Sequence, residues 1–299
     1  RGAAAFQYEL NALKRTDAFP AVESSTGPLA LADIDHDGDL DLFVGGRMIP
    51  GKYPQPAHSQ LFLNNGAHWE LDEKNEALLT QVGLVSSATF SDLNEDGEPD
   101  LILALEWGPI KVLINKNGKL SDATDQLGLS SYTGWWNAVA TGDFNNDGRI
   151  DLVASNWGQN TRYESFRHKP LQIFYGDFSR TGRIIGIESF FDKQSGKNKP
   201  WADLDLLALA LPELKRRFPT YRAFSEASTE TVIAPYRSQA KSLSATTLES
   251  TIFINQGSRF TAQPLPREAQ LSPSFGIGVA DLDGDGNHDG NRDHNGNAT

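Results

Sequence analysis

Four nine-residue windows hold the side chains most able to do chemistry in this sequence. Each follows Asp-x-(Asp/Asn)-x-Asp-Gly-x-x-Asp. They are Asp33 to Asp41 (with Asp35, Asp37 and Asp39), Asp92 to Asp100 (Asn94, Asp96, Glu98), Asp143 to Asp151 (Asn145, Asp147, Arg149) and Asp281 to Asp289 (Asp283, Asp285, Asn287). Carboxylates crowded this closely repel one another in a folded loop. A hard cation reverses the sign of that interaction, and Ca²⁺ takes roughly six to eight oxygens from carboxylates, amide and backbone carbonyls and water. Side chains at positions 1, 3 and 5 converge if the loop coils around an ion. Position 6 must then turn sharply, and it is glycine in all four windows: Gly38, Gly97, Gly148 and Gly286. Position 7 varies from Asp39 and Glu98 to Arg149 and Asn287, as a backbone-carbonyl ligand allows. Position 9 is always Asp, suited to a side-chain ligand that closes the sphere. The expectation is three to four structural calcium ions.

Two other readings of the windows are weaker. An EF-hand loop needs Glu at position 12, where this sequence has Val44, Leu103, Ala154 and Arg292. Its flanks should also be helical. Asp-Gly loops can be plain polar turns, but four in one register argue against that.

The elements that carry the windows repeat as well. A short strand precedes each: Leu29 to Ala32, Ser87 to Phe90, Asn137 to Ala140 and Gly276 to Ala280. Apolar runs follow the first three, Leu40 to Val44, Leu101 to Leu105 and Ile150 to Ala154, and read as buried strands. A third strand then reaches an Asn/Gly turn at Gln60 to Gly66, Lys111 to Gly118 and, late in the chain, Thr251 to Gly257. Trp69, Leu120 and Phe260 start a fourth strand after each turn. Four short strands per unit of about 40–50 residues describe propeller blades. The fold class is therefore all-β: a β-propeller of four-stranded blades with DxDxDGxxD calcium loops, a small helical insertion and an incomplete ring.

The expected organisation is an N-terminal segment ending a preceding blade (1–27), propeller blades (28–191), a helical insertion (192–235), a further blade with the start of the next (236–289) and a polar, disordered tail (290–299). Within the insertion Leu204, Leu207, Leu211, Leu214 and Phe218 recur at helical spacing. Pro212 starts a second short helix, and the segment reads as a cap on the blades, with a ligand-gating lid as the alternative. A degraded window at Asp177 to Ile185 has Thr181 at position 5 and Ile185 at position 9, so no tight metal site is expected there. After Asp289 the sequence turns polar where an apolar strand should follow, as though the chain stops inside a blade.

The composition fits this picture. Of 39 acidic residues, 17 lie in the four windows, leaving 22 against the 26 basic residues outside them, a net of +4 on a chain whose total is −12. The acidity belongs to the loops, and four Ca²⁺ ions would bring the total to −4. The balance opposes nucleic-acid binding, which needs a basic face. Zero cysteine excludes disulfides, thiolate metal sites and a Cys nucleophile. No apolar run of 18 residues could span a bilayer as a helix.

Together with Phe43 to Pro54, Thr133 to Asn137, Asn160 to Tyr163, Arg216 to Tyr221 and Thr247 to Ser250, the windows resemble the FG-GAP/VCBS repeat propellers. The resemblance is closest to the repeat region of the ASPIC/UnbV (cartilage acidic protein-like) family, over roughly residues 28–289. It implies a calcium-binding propeller that is extracellular, periplasmic or on the bacterial cell surface and serves interaction rather than a known reaction.

No catalytic motif stands out. The six histidines (His36, His58, His68, His168, His288 and His294) form no zinc signature, and there is no Gly-x-Ser-x-Gly elbow. Gly45-Gly46 and Trp107-Gly108 read as turns. Glu106, Glu188 and Glu213 lie outside the windows without discernible partners. Trp107, Trp135, Trp136 and Trp157 are either core or an aromatic rim for a sugar or peptide. The leading expectation is a non-catalytic module that binds a protein or glycan. The alternative is a carbohydrate-active lyase or glycosidase, which would need two carboxylates, or an acid with Tyr or His, in a cleft away from the loops.

Overall fold

The computed structural model describes residues 22–66, 68–163 and 169–280 together with residue 19, and the backbone of 5–9, 12–16 and 289–290. The chain is mostly β, built from four-stranded antiparallel sheets. Sheet 1 is a meander of Ser25–Ala32, Asp41–Met48, Gln60–Asn64 and Trp69–Leu71. Sheet 2 repeats it with Leu84–Ser91, Asp100–Gly108, Ile110–Lys116 and Lys119–Asp122, and Gly134–Trp135 adds a short fifth strand. In both, the acidic window joins the first strand to the second. Ala5–Glu9 and Ala12–Thr16 form a separate hairpin.

Sheet 3 departs from the order read in the sequence. Its first two strands are Ala138–Gly142 and Asp151–Ser155, but its last two are Thr251–Asn255 and Phe260–Pro264. Within the stretch expected to form a further blade from 236, Thr251–Asn255 and Phe260–Pro264 therefore complete the third sheet, while Lys241–Ala245 joins a different one. Asn255 donates its backbone N–H to Asp151 Oδ1 at 2.7 Å, across 104 positions of sequence. Spacing along the chain cannot show such a pairing.

Between the halves of sheet 3 lies sheet 4, ordered Lys197–Pro200, Ile185–Asp192, Leu171–Gly176 and Lys241–Ala245. The helical segment is inserted before its last strand, as Leu204–Ala210, Leu214–Arg217, Tyr221–Glu226 and Thr229–Ile233. Asp203, Thr220 and Ser228 cap three of these helices by accepting N–H groups of Leu206, Ala223 and Thr231. The helices bury Leu204, Leu207, Leu211, Leu214 and Phe224 against Phe178 and Ile187 of sheet 4. The segment is a packed cap.

The alternation of each strand supplies two faces. Phe43 and Leu61 of sheet 1 share a core with Leu101, Leu103 and Leu113 of sheet 2. The opposite face of sheet 2, with Ile102, Ala104 and Val112, shares a second core with Leu152, Ala154 and Phe253 of sheet 3. Gly45-Gly46 and Trp107-Gly108 are not turns but parts of strands. A Cβ on Gly46 would lie 2.4 Å from the carbonyl oxygen of His58, so glycine there lets two backbones touch.

Candidate metal centre

The three described acidic loops share one construction. The position-1 carboxylate accepts the N–H groups of positions 5 and 6: Asp33 from Asp37 and Gly38 at 3.1 and 3.0 Å, Asp92 from Asp96 and Gly97 at 3.1 and 2.8 Å, Asp143 from Asp147 and Gly148 at 3.2 and 2.8 Å. Position 4 is left-handed, at φ 62° for His36, 60° for Glu95 and 61° for Asn146, and the glycine at position 6 follows at 95°, 86° and 86°. The position-5 carboxylates of Asp37, Asp96 and Asp147 accept the N–H of position 7 at 2.9 Å in each case. These contacts bend positions 1, 3 and 5 around a common point.

The loops differ at position 3. Asn94 and Asn145 accept the N–H of position 5 and donate to Asp96 Oδ2 and Asp147 Oδ2. Loop 1 has Asp35 there. Its Oδ1 is buried with no hydrogen-bond partner among the described residues. Carboxylate oxygens of Asp33, Asp35 and Asp37 all lie within 4.8 Å of one another. An orphaned buried carboxylate oxygen costs free energy, and oxygen donors of this kind suit a hard cation such as Ca²⁺. Loop 3 lies at the other extreme, because Arg149 reaches Asp147 Oδ2 at 3.1 Å and supplies a positive charge of its own. The donor set is strongest in loop 1 and weakest in loop 3.

Position 9 does more than the sequence suggested. Asp41, Asp100 and Asp151 are fully buried. One oxygen of each accepts the N–H of position 2 (Ile34, Leu93, Phe144), and the other accepts that of the hairpin asparagine (Asn64, Asn115, Asn255). Burial pushes the carboxyls of Asp41 and Asp151 above their ordinary range and that of Asp100 up to about 6, against the pull of these N–H donors. The hairpin asparagines also tie the sheets together. Asn115 Nδ2 donates to the Ile34 carbonyl of loop 1 at 2.9 Å, and Asn255 Nδ2 to the Leu93 carbonyl of loop 2 at 3.3 Å. Glu98 of loop 2 pairs with His36 of loop 1 at 3.2 Å. An unbroken path of hydrogen bonds thus runs from Asp151 through Asp100 to Asp41. The role of the asparagines was missed in the sequence, although Asn at the same place in three hairpins was the available signal.

The fourth window, Asp281 to Asp289, lies outside the described residues except for the backbone of Asp289, which pairs with Ala280. The polar tail lies outside them as well, apart from the backbone of Gly290. The degraded window is well described. Arg180 at position 4 has φ 56°, Gly182 has φ 78°, and Asp177 accepts the N–H groups of Thr181 and Gly182 at 2.9 Å each. It has the acidic-loop backbone without the carboxylates at 3, 5, 7 and 9.

A second polar cluster corrects the reading of Glu106 and Glu188 as partnerless. Glu106 pairs with Arg47 and accepts from Tyr53 Oη at 2.6 Å. Glu188 accepts from Tyr163 Oη at 3.3 Å, and Arg162 donates to that hydroxyl at 2.8 Å. Burial raises the carboxyl of Glu188 and the phenol of Tyr53 above their ordinary values. Trp107, Trp135, Trp157 and Tyr163 pack edge to face around the cluster, Trp201 lies tilted against Tyr163, and Trp107 and Trp135 are buried. The space among them is too small for a water molecule. Trp136 belongs to the core between sheets 2 and 3. These tryptophans are core rather than an exposed rim.

The family model of the FG-GAP-like repeat matches residues 92–154, from the start of the second acidic loop to the second strand of sheet 3. The match supports an FG-GAP repeat protein. No curated protein matches the chain. Among the described residues no helix is long and apolar enough to cross a membrane.

Proposed function

We propose that the chain is a non-catalytic interaction module whose sheets are propeller blades stabilised by calcium in the acidic loops. The observation that carries it is Asp35 Oδ1, buried and unpaired between Asp33 and Asp37. Asp33, Asp35 and Asp37 would hold the ion in loop 1. Asp92, Asn94 and Asp96, then Asp143, Asn145 and Asp147, would do so in loops 2 and 3, with Asp281, Asp283 and Asp285 as a fourth set. Ca²⁺ that binds the folded loops alone stabilises each by RT ln(1 + [L]/Kd), about 2.7 kcal/mol at a hundredfold excess. FG-GAP repeats are typically extracellular interaction modules, which favours an exported or surface setting and a protein or glycan partner. The shared segments favour a relationship to the ASPIC/UnbV repeats.

Thermal melting tests the reading. EGTA lowers the melting temperature, and Ca²⁺ restores it at concentrations where Mg²⁺ does not. An unchanged melting curve in EGTA rejects it.

A second reading draws on Glu106 with Tyr53 and Glu188 with Tyr163, the acid-and-tyrosine combination a carbohydrate-active enzyme would need. The absence of room among the rings favours a structural role. Release of reducing or unsaturated sugar from an acidic polysaccharide, abolished in Glu188→Gln, would instead establish the enzyme.

A further inference from the structure

Sheet 4 carries a groove whose chemistry is the reverse of the acidic loops. Its turn holds Ser179, Thr181, Arg183 and Ile185 at the positions where loop 1 holds Asp35, Asp37, Asp39 and Asp41, and Arg180 stands at position 4. Both oxygens of Asp177 are engaged by backbone N–H groups of the turn. Beside it lies an open groove of about 350 Å³ lined by Gln55, Tyr175, Asp177, Arg180, Gln239 and Lys241.

Three separate segments form the walls, and local contacts fix them. Gln55 comes from the connection between the second and third strands of sheet 1, which is tied to the turn by the Ile184 N–H donating to the Gly51 carbonyl at 2.9 Å. Gln239 and Lys241 follow the helical cap. The backbone there comes so near Gly176 that a Cβ on that glycine would lie 2.6 Å from the Gln239 carbonyl oxygen. Tyr175 is 6% exposed and lines the groove, and its hydroxyl has no hydrogen-bond partner among the described residues. Burial raises the phenol above its ordinary value, so it stays a neutral donor and acceptor. The side chains of Arg180, Lys241, Gln55 and Gln239 also have no hydrogen-bond or ion-pair partner among the described residues.

We propose that this groove binds a hexuronate residue, the acidic sugar unit of a polyanionic glycan. Two uncommitted cations beside one committed carboxylate select an anion, and the planar guanidinium of Arg180 is matched to a carboxylate. Two amides and a phenol, each able to donate and accept, suit hydroxyl groups, whereas a bare inorganic oxyanion would use their donors and leave their acceptors unmatched. The volume falls at the small end of ligand sites. The inference deepens the reading of the chain as a glycan-binding module, yet it does not depend on calcium in the acidic loops, none of which lines the groove.

Isothermal titration of the intact chain with glucuronate, at constant ionic strength and fixed calcium, tests it. Saturable binding is expected, weakened at least tenfold in both Arg180→Gln and Lys241→Gln and several-fold in Tyr175→Phe. Arg222→Gln, on an exposed cation paired with Glu226, should bind as the parent does. Glucose should bind at least tenfold more weakly, and sulfate should fail to compete at equal concentration. The two cations are exposed, so their variants should melt with the parent protein. No saturable glucuronate binding, undiminished binding in Arg180→Gln, or competition by sulfate equal to that by glucuronate overturns the proposal. A chain that responds to calcium but not to glucuronate loses this site alone, whereas glucuronate binding with no response to EGTA loses the calcium reading alone.

Discussion

Loop 1, Asp33 to Asp41, and the turn of sheet 4, Asp177 to Ile185, have the same backbone and opposite side-chain chemistry. Both start with an aspartate that accepts the N–H groups of positions 5 and 6. Both pass through a left-handed residue at position 4 and a left-handed glycine at position 6. The turn of sheet 4 reaches this conformation with serine, threonine, arginine and isoleucine where loop 1 has aspartates. Carboxylates at positions 3, 5 and 7 are therefore not needed to shape the loop. Loop 1 keeps them despite their mutual repulsion, which points to a job beyond folding.

Position 9 should separate the acidic loops from the turn of sheet 4 most, and Asp100 of loop 2 represents it. In Asp100→Ala the buried N–H groups of Leu93 and Asn115 lose their acceptor. Each unsatisfied group costs about 1–3 kcal/mol, so a loss of ~2–6 kcal/mol is expected in urea unfolding with EGTA present. The corresponding change in sheet 4, Ile185→Ala, removes only part of a half-buried side chain and should cost less than ~2 kcal/mol. Equal losses would mean that the buried aspartates do not hold the sheets together.

The carboxylates at positions 3 and 5 come next. Asp35→Ser combined with Asp37→Thr copies the turn of sheet 4 into loop 1. In EGTA this variant should be at least as stable as the parent, because two repelling charges are gone while the position-1 contacts remain. With Ca²⁺ at a hundred times its Kd, it should lack about 2.7 kcal/mol of the parent's stabilisation. A calcium response equal to the parent's would remove loop 1 from the metal sites.

Much of this design was legible in the sequence. The three described acidic windows, their glycines and the strands on either side follow local rules of spacing and alternation, and they appear where those rules put them. So does the helical cap, whose leucines recur at helical spacing. The nesting of sheet 4 inside sheet 3 was not legible, because the contact of Asn255 with Asp151 joins residues 104 positions apart. Nor was the cluster of Glu106, Glu188, Tyr53 and Tyr163, which draws on sheets 1, 2 and 4 and on the loops between them. Position 9 was read as a ligand because Asp recurs there in all four windows, and that recurrence carried no sign of its further structural role. Its burial and its two backbone donors come from the packing of whole sheets.

Sheet 4 should also show a pH response of its own, from a half-buried carboxylate on one of its strands, Glu188. The Glu188 carboxyl is held above the ordinary glutamate value of about 4.5 chiefly by burial, with Tyr163 and Arg162 opposing. Well below pH 4.5 it is protonated in both folded and unfolded chains and contributes nothing. As pH rises through that value the unfolded chain ionises first, so stability falls until the folded carboxyl ionises too, and then levels off. Glu188→Gln should abolish that fall, visible as a divergence of urea midpoints from the parent between pH 4 and pH 8. Parallel midpoints across that range would show that Glu188 ionises as readily in the fold as in water.

The smallest effect tests the shared backbone itself. Asp177→Ala and Asp33→Ala each remove one carboxylate that accepts two backbone N–H groups in an exposed loop. Water can replace those bonds, so the loss resembles that of a helix cap, about 1 kcal/mol. In EGTA the two variants should lose similar amounts. With Ca²⁺ present they should part, because Asp33 would also be a metal ligand and Asp177 has no carboxylate beside it at positions 3, 5, 7 or 9. The calcium-dependent gain should survive in full in Asp177→Ala and shrink in Asp33→Ala. If Asp177→Ala loses it as well, the turn of sheet 4 is itself a cation site, and the contrast between the two loops is one of degree.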